Sequence, residues 1–142
     1  MPPLREHEDR FLGEFSELPY GRPEGPSLRA AVRDRGEDDE DLLVRYLRSG
    51  AVLVASPSRT RDVLSPTGEV IGGFAVLTDG FWVWYSDLPH YVERYHVELD
   101  PRFVSDVRTR RGAVPSLSEA ELMDLAQAVF GLPTEPDAVD HT

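Results

Sequence analysis

The chain has 142 residues, 40% hydrophobic and 29% charged, a composition that fits one globular domain with one core. It holds no cysteine and no lysine, which excludes disulfides, thiol nucleophiles, zinc ribbons, and Schiff-base or P-loop lysine chemistry. A formal net charge of −11 repels nucleic acid and anionic membranes and draws in a basic partner.

The N-terminus, MPPLREHEDRFLGEF, carries acids where a secretory signal needs a basic region followed by an apolar block. No apolar run approaches the ~20 residues of a membrane span. The expectation is a cytoplasmic protein. Residues 3–18 read as a first helix, with Phe11, Leu12, Phe15 and Leu18 on one stripe. The segment from Pro19 to Pro26 is a loop. Ser27 caps a short helix from Leu28 to Arg35, stopped by Gly36. Five acids, Glu37 to Asp41, open the next helix, in which Leu42, Leu43, Tyr46 and Leu47 form the packing stripe and Gly50 the stop.

The period then changes. Ala51 to Ala55 reads as a buried strand, Ser56 to Glu69 as a polar excursion, and Val70 to Leu77 as a second strand. Thr78-Asp79-Gly80 is a turn, and Phe81 to Tyr85 is a third strand. A two-residue turn pairs Leu77 with Trp82, Val76 with Val83, Ala75 with Trp84 and Phe74 with Tyr85. Ala75, Leu77, Trp82 and Trp84 then share one face, and Phe74, Val76, Phe81, Val83 and Tyr85 the other. Both faces are apolar, so helices or a partner must cover the second one. Gly72-Gly73 inside the second strand marks a bulge or a close backbone approach.

Ser86 or Asp87 caps a helix with Leu88, Tyr91, Val92 and Tyr95 on one stripe. Asp100-Pro101 starts another, with Phe103, Val104 and Val107 inward. Ser118 and Glu121 form a capping box for a last helix, with Leu117 and Leu122 as a hydrophobic staple. The fold expected is α+β: a short antiparallel meander of about three strands packed with four to six helices. Residues 1–131 form the single domain and 132–142 a disordered tail.

The densest titratable cluster is Asp87, His90, Glu93, His96 and Asp100. His90 and His96 lie about 240° apart round one regular helix and cannot share a metal there. Neither a nucleophile elbow nor a Gly-rich phosphate loop is present, so no cofactor and no metal is expected. Arg108, Arg110 and Arg111 read as charges that complement a helix C-terminus. Trp82 and Trp84 read as core. The run Glu37, Asp38, Asp39, Glu40 and Asp41 has more acids than a helix start uses, which makes it a candidate docking patch.

One stretch carries a resemblance. The elements YLRSG, DVL, LTDGFWVW and DLPHYV, between Tyr46 and Val92, resemble a pattern common in small actinobacterial proteins, and the match runs on to about Val104. Such proteins are similar to the small acidic immunity partners of secreted polymorphic toxins. The resemblance implies a non-enzymatic protein-binding domain that occludes the active site of a basic toxin domain. The residues offered for that contact are Glu37, Asp38, Asp39 and Glu40, with the sheet face of Phe81, Val83 and Tyr85. An adaptor that binds through its sheet, and a small hydrolase or transferase using His90 or His96, are the alternatives.

Overall fold

A computed structural model describes residues 10–130 of the chain. The fold is α+β, with four strands and five helices among those residues. In chain order they are β1 (Phe11–Leu12), α1 (Leu28–Ala31), α2 (Glu40–Arg48), β2 (Ala51–Arg61), β3 (Val70–Thr78), β4 (Val83–Tyr85), α3 (Leu88–Tyr95), α4 (Pro101–Thr109) and α5 (Glu119–Phe130). No helix among them is long and apolar enough to cross a membrane.

The sheet order is β1-β4-β3-β2, and it is mixed rather than a pure meander. β1 pairs parallel with β4, Phe11 beside Val83 and Leu12 beside Trp84. The expected helix over residues 3–18 is therefore absent from its described part. Phe11 and Leu12 are strand; Leu12 reaches the core from β1, and Phe15 and Leu18 reach it from the irregular segment that follows. Residues 3–9 and the expected tail lie outside the described residues. The apolar spacing was right for burial and wrong for period: Gly13 sits at φ +76, a conformation a helix interior does not take.

The hairpin register also differs from the two-residue turn. Thr78 pairs with Val83, Leu77 with Trp84 and Val76 with Tyr85, leaving Asp79 to Trp82 as a four-residue loop. Side chains hold that loop. Asp79 Oδ1 accepts from the Phe81 and Trp82 amides at 2.9 and 2.7 Å. Thr78 Oγ1 accepts from the Gly80 amide at 3.0 Å and donates to the Trp82 carbonyl at 2.7 Å. Amides bound to Asp79 cannot serve the ladder, so pairing starts two residues later. A slip of two preserves the faces.

Leu77, Trp82 and Trp84 face the main core with α2, α3 and α4, while Val76, Val83 and Tyr85 form a second cluster. Phe103 stands edge-on to Tyr46, Trp82 and Trp84, with ring centroids 5.7–5.9 Å away. The second face is covered from within the chain. Phe11, Tyr20, Phe74, Leu53 and Val54 lie against it, with Val129 of α5. α5 is a lighter cover than its apolar sequence suggests, since none of its residues is fully buried.

β2 is longer than expected. Its bulges carry it from Ala55 to Arg59 while β3 advances two residues, from Ala75 to Gly73, so strand pairing continues to Arg61. Gly72 and Gly73 lie opposite that bulge with open space where a Cβ would be, which makes them bulge partners rather than a close approach.

The helix starts follow their sequence signals in part. Ser27 Oγ accepts from the Ala30 amide, and Asp100 accepts from the Arg102 amide. Helix α1 stops at Ala31, four residues short of Arg35, where Val32 turns extended. Ser118 and Glu121 form the reciprocal capping box at 2.7 and 3.1 Å. At α3 neither expected cap works. Asp87 holds the N-cap position without a side-chain bond to the helix, and Ser86 bonds Ala75 and Gly73 of β3 instead. Pro89 in the first turn removes one of the amides such a cap serves.

Candidate functional site

Two places concentrate chemistry. The first is a groove of about 480 Å³ between α2, α4 and the α3–α4 connection. Leu43, Val92, Val97, Leu99 and Val104 line its floor, and all are buried. Its rim carries Arg33, Glu37, Glu40, Glu98 and Arg108, with exposed Ser105 on α4. One end is clasped by backbone. The Arg33 amide donates to the Tyr95 carbonyl at 3.2 Å, and the Glu98 amide to the Ala31 carbonyl at 2.9 Å. Arg33 Nε adds a bond to the His96 carbonyl at 2.9 Å.

The acidic run borders this groove. Arg108 donates to both carboxylate oxygens of Asp39, at 2.8 and 2.9 Å, and to Glu37 at 3.2 Å. Glu37 also takes a bond from Arg33 at 3.1 Å. The bonds from Arg33 and then Arg108 hold the Glu37 carboxyl below its ordinary range, and Arg108 does the same for Asp39. Glu40 faces His96, whose Nδ1 lies 3.0 Å from both its oxygens. Asp38 and Asp41 make no side-chain ion pair among the described residues.

The other offered residues sit differently. Val83 and Tyr85 are buried in the second cluster, at 2% and 8% exposure, so the sheet face does not reach the surface through them. Phe81 does, at 44%, because it belongs to the loop, where the Arg10 guanidinium lies 4.6 Å from its ring centre. Of the basic cluster, Arg108 is held as above, and Arg110 bonds the Tyr46 hydroxyl at 2.6 Å and Asp79 at 3.0 Å. Tyr46 donates to Asp79 Oδ2 at 2.6 Å, which completes a buried network under the hairpin loop.

The second place lies at the far end of the sheet, where the β2–β3 loop meets α3. Asp62, fully buried, receives the amides of Leu64 and Ser65 on Oδ1, at 2.8 and 3.0 Å. Its Oδ2 lies 2.8 Å from His90 Nε2 and accepts the Tyr95 hydroxyl at 2.8 Å. Burial pushes the Asp62 carboxyl up, but the bonds from His90, Tyr95 and Leu64 outweigh it and keep it below its ordinary value. Beside it, the Tyr91 hydroxyl accepts from the Val63 amide at 3.0 Å and donates to the Arg61 carbonyl at 3.2 Å. Burial raises the Tyr91 phenol, and the charges of Asp87 and Asp62 add to that. Glu69 closes the loop opposite Asp62. The Asp62 amide donates to the Glu69 carbonyl at 2.9 Å, and Arg94 reaches the Glu69 carboxylate at 3.4 Å.

Of the expected titratable cluster, only His90 joins this site directly. Glu93 pairs with Arg48, His96 with Glu40, and Asp100 with Arg102. Asp62 and Glu69 were not singled out as functional from sequence. They lie in the stretch read as a polar excursion, and their partners on α3 are 25 to 33 residues away. The one local signal was the Asp62-Val63-Leu64 element of the resemblance.

No family model, no curated protein and no solved structure matches the chain.

Proposed function

We propose that the chain is a non-enzymatic protein-binding domain of the immunity type, which neutralises a basic toxin domain by seating on it and occluding its active site. The observation that carries this reading is the groove between α2 and α4, with an apolar floor and a charged rim on which three acids, Glu37, Glu40 and Glu98, outnumber two arginines, Arg33 and Arg108, both paired with Glu37. An interface needs a desolvated apolar centre and a charged rim that selects its partner, and the groove offers both. The net charge of −11 supplies steering toward a basic surface. The resemblance of the Tyr46–Val104 stretch to acidic immunity proteins points the same way.

The sheet face is a poorer candidate than the groove, because Val83 and Tyr85 are already covered by Phe11, Tyr20 and Val129. The acidic run contributes through Asp38 and Glu40 more than through Asp39, whose charge is taken by Arg108. The test is a groove plug. Ser105→Trp fills the groove from an exposed position, and it should abolish inhibition of the protein that co-purifies with the chain while leaving the melting temperature unchanged. Undiminished inhibition would move the interface elsewhere.

A second reading, a small hydrolase or transferase working through His90, is favoured by one observation: the ionised, buried Asp62 lies 2.8 Å from His90 Nε2. An acid that orients an imidazole is the arrangement of general-base catalysis. His90→Gln leaves inhibition intact on the first reading and removes activity on the second.

A further inference from the structure

We propose that Asp62, Glu69 and His90 bind one divalent transition-metal ion of the zinc type, at the junction of the β2–β3 loop and α3. One donor atom from each residue lies within 4.8 Å of the other two. The backbone bond between Asp62 and Glu69 clasps the two ends of their loop, so both side chains leave from neighbouring points of the backbone. His90, in the first turn of α3, approaches from the other side.

The distances suit the ion. Bonds of ~2.0–2.2 Å from a tetrahedral metal place neighbouring donor atoms about 3.3–3.6 Å apart. Asp62 Oδ2 and His90 Nε2, at 2.8 Å, are already close to that spacing and need to part by well under about 1 Å, within reach of a small rotation of the partly exposed His90 ring. Glu69 has to swing inward. Its side chain is 44% exposed and takes a 3.4 Å bond from Arg94, itself exposed, so the motion disturbs no core.

The surroundings orient the ligands as metal sites do. Two backbone amides occupy Asp62 Oδ1, which leaves Oδ2 to point at His90, and the Tyr95 hydroxyl fixes that oxygen from behind. Two carboxylates and one imidazole balance a 2+ charge. An imidazole donor favours zinc and its neighbours over magnesium or calcium, which take oxygen ligands. Three protein ligands leave a fourth position, on the side of partly exposed His90 and Glu69, for water. This site is separate from the groove and does not depend on how the groove is used.

The test is calorimetric titration of zinc chloride into the EDTA-treated full chain without an affinity tag. The expected result is saturable binding of one equivalent, with magnesium and calcium chloride giving no saturable heat. Glu69→Gln, at an exposed position that cannot compromise folding, should weaken zinc binding at least about tenfold, and so should His90→Gln. Tyr95→Phe, which removes only the orienting hydroxyl, should weaken it by about 10–100-fold. His96→Gln should leave it unchanged. Absence of saturable zinc binding overturns the site, and so does binding that survives Glu69→Gln or is lost in His96→Gln.

Discussion

Arg108 Nε and Nη2 meet the two carboxylate oxygens of Asp39 at 2.8 and 2.9 Å, a two-pronged pair that ties the C-terminal end of α4 to the N-cap of α2. Arg108→Gln breaks it. Both partners are substantially exposed, so the stability change should be small. The carboxyls of Glu37 and Asp39 should titrate at higher pH than in the parent, because Arg108 is among what lowers both. Carboxyl-carbon chemical shifts followed against pH measure this, and unchanged midpoints would show the pair absent in solution.

Gly80 sits at φ +102, and a Cβ there would meet Leu117 Cδ2 at 3.1 Å. A β-branched residue pays for both the backbone conformation and the contact. Gly80→Val should lower stability by roughly 1–3 kcal/mol, read from the urea midpoint. A midpoint equal to the parent's would mean that the loop is free to take another turn.

Asp87 is buried, its Oδ2 has no hydrogen-bond partner among the described residues, and burial pushes its carboxyl up from 3.8 to about 7. The folded protein therefore binds this proton more tightly than the unfolded chain. The contribution of Asp87 to stability should fall as pH rises from about 4 to about 7 and level off above that. Asp87→Asn should remove the fall and exceed the parent by roughly 1–4 kcal/mol at pH 8, where an unpaired charge would otherwise be buried. Denaturation at pH 5 and pH 8 decides it; a variant with the parent's pH dependence would mean Asp87 is solvated.

Tyr46 links Asp79 and Arg110 through one hydroxyl, with oxygen–donor and oxygen–acceptor distances of 2.6 Å. Tyr46→Phe keeps the ring against Phe103 and Trp84 and deletes the link. The cost should be about 1–3 kcal/mol, since Asp79 loses a buried donor while still holding the loop amides. A thermal melt reads it, and no change would show that Arg110 alone satisfies Asp79.

Much of the fold could be read locally. Leu43, Tyr46 and Leu47 on α2, Phe103, Val104 and Val107 on α4, and the Ser118–Glu121 box all follow from helical spacing and caps. The two apolar faces of the hairpin also followed, because a register slip of two leaves side-chain parity intact. What failed depended on distant partners. Phe11 and Leu12 are strand because β4 offers them a parallel edge 72 residues away in the chain. β2 runs past Ala55 because β3 accommodates its bulge. The site fared worse than the fold. His90 was visible as a histidine near acids, but its partner Asp62 comes from another element, and no spacing rule connects them. The acids from Glu37 to Glu40 were visible as charge. That Arg108 neutralises part of them depends on how α4 packs.

The proposed seat for a basic protein is the groove between α2 and α4. The most direct measurement places a photo-crosslinking side chain at Ser105, inside the groove, and another at Met123, on the exposed side of α5. Both proteins are irradiated in the native host. Ser105 should capture one basic polypeptide, Met123 should not, and the captured protein should lose its activity on stoichiometric addition of the unmodified chain. Capture from Met123 and not from Ser105, or a captured protein whose activity the chain leaves untouched, would contradict it.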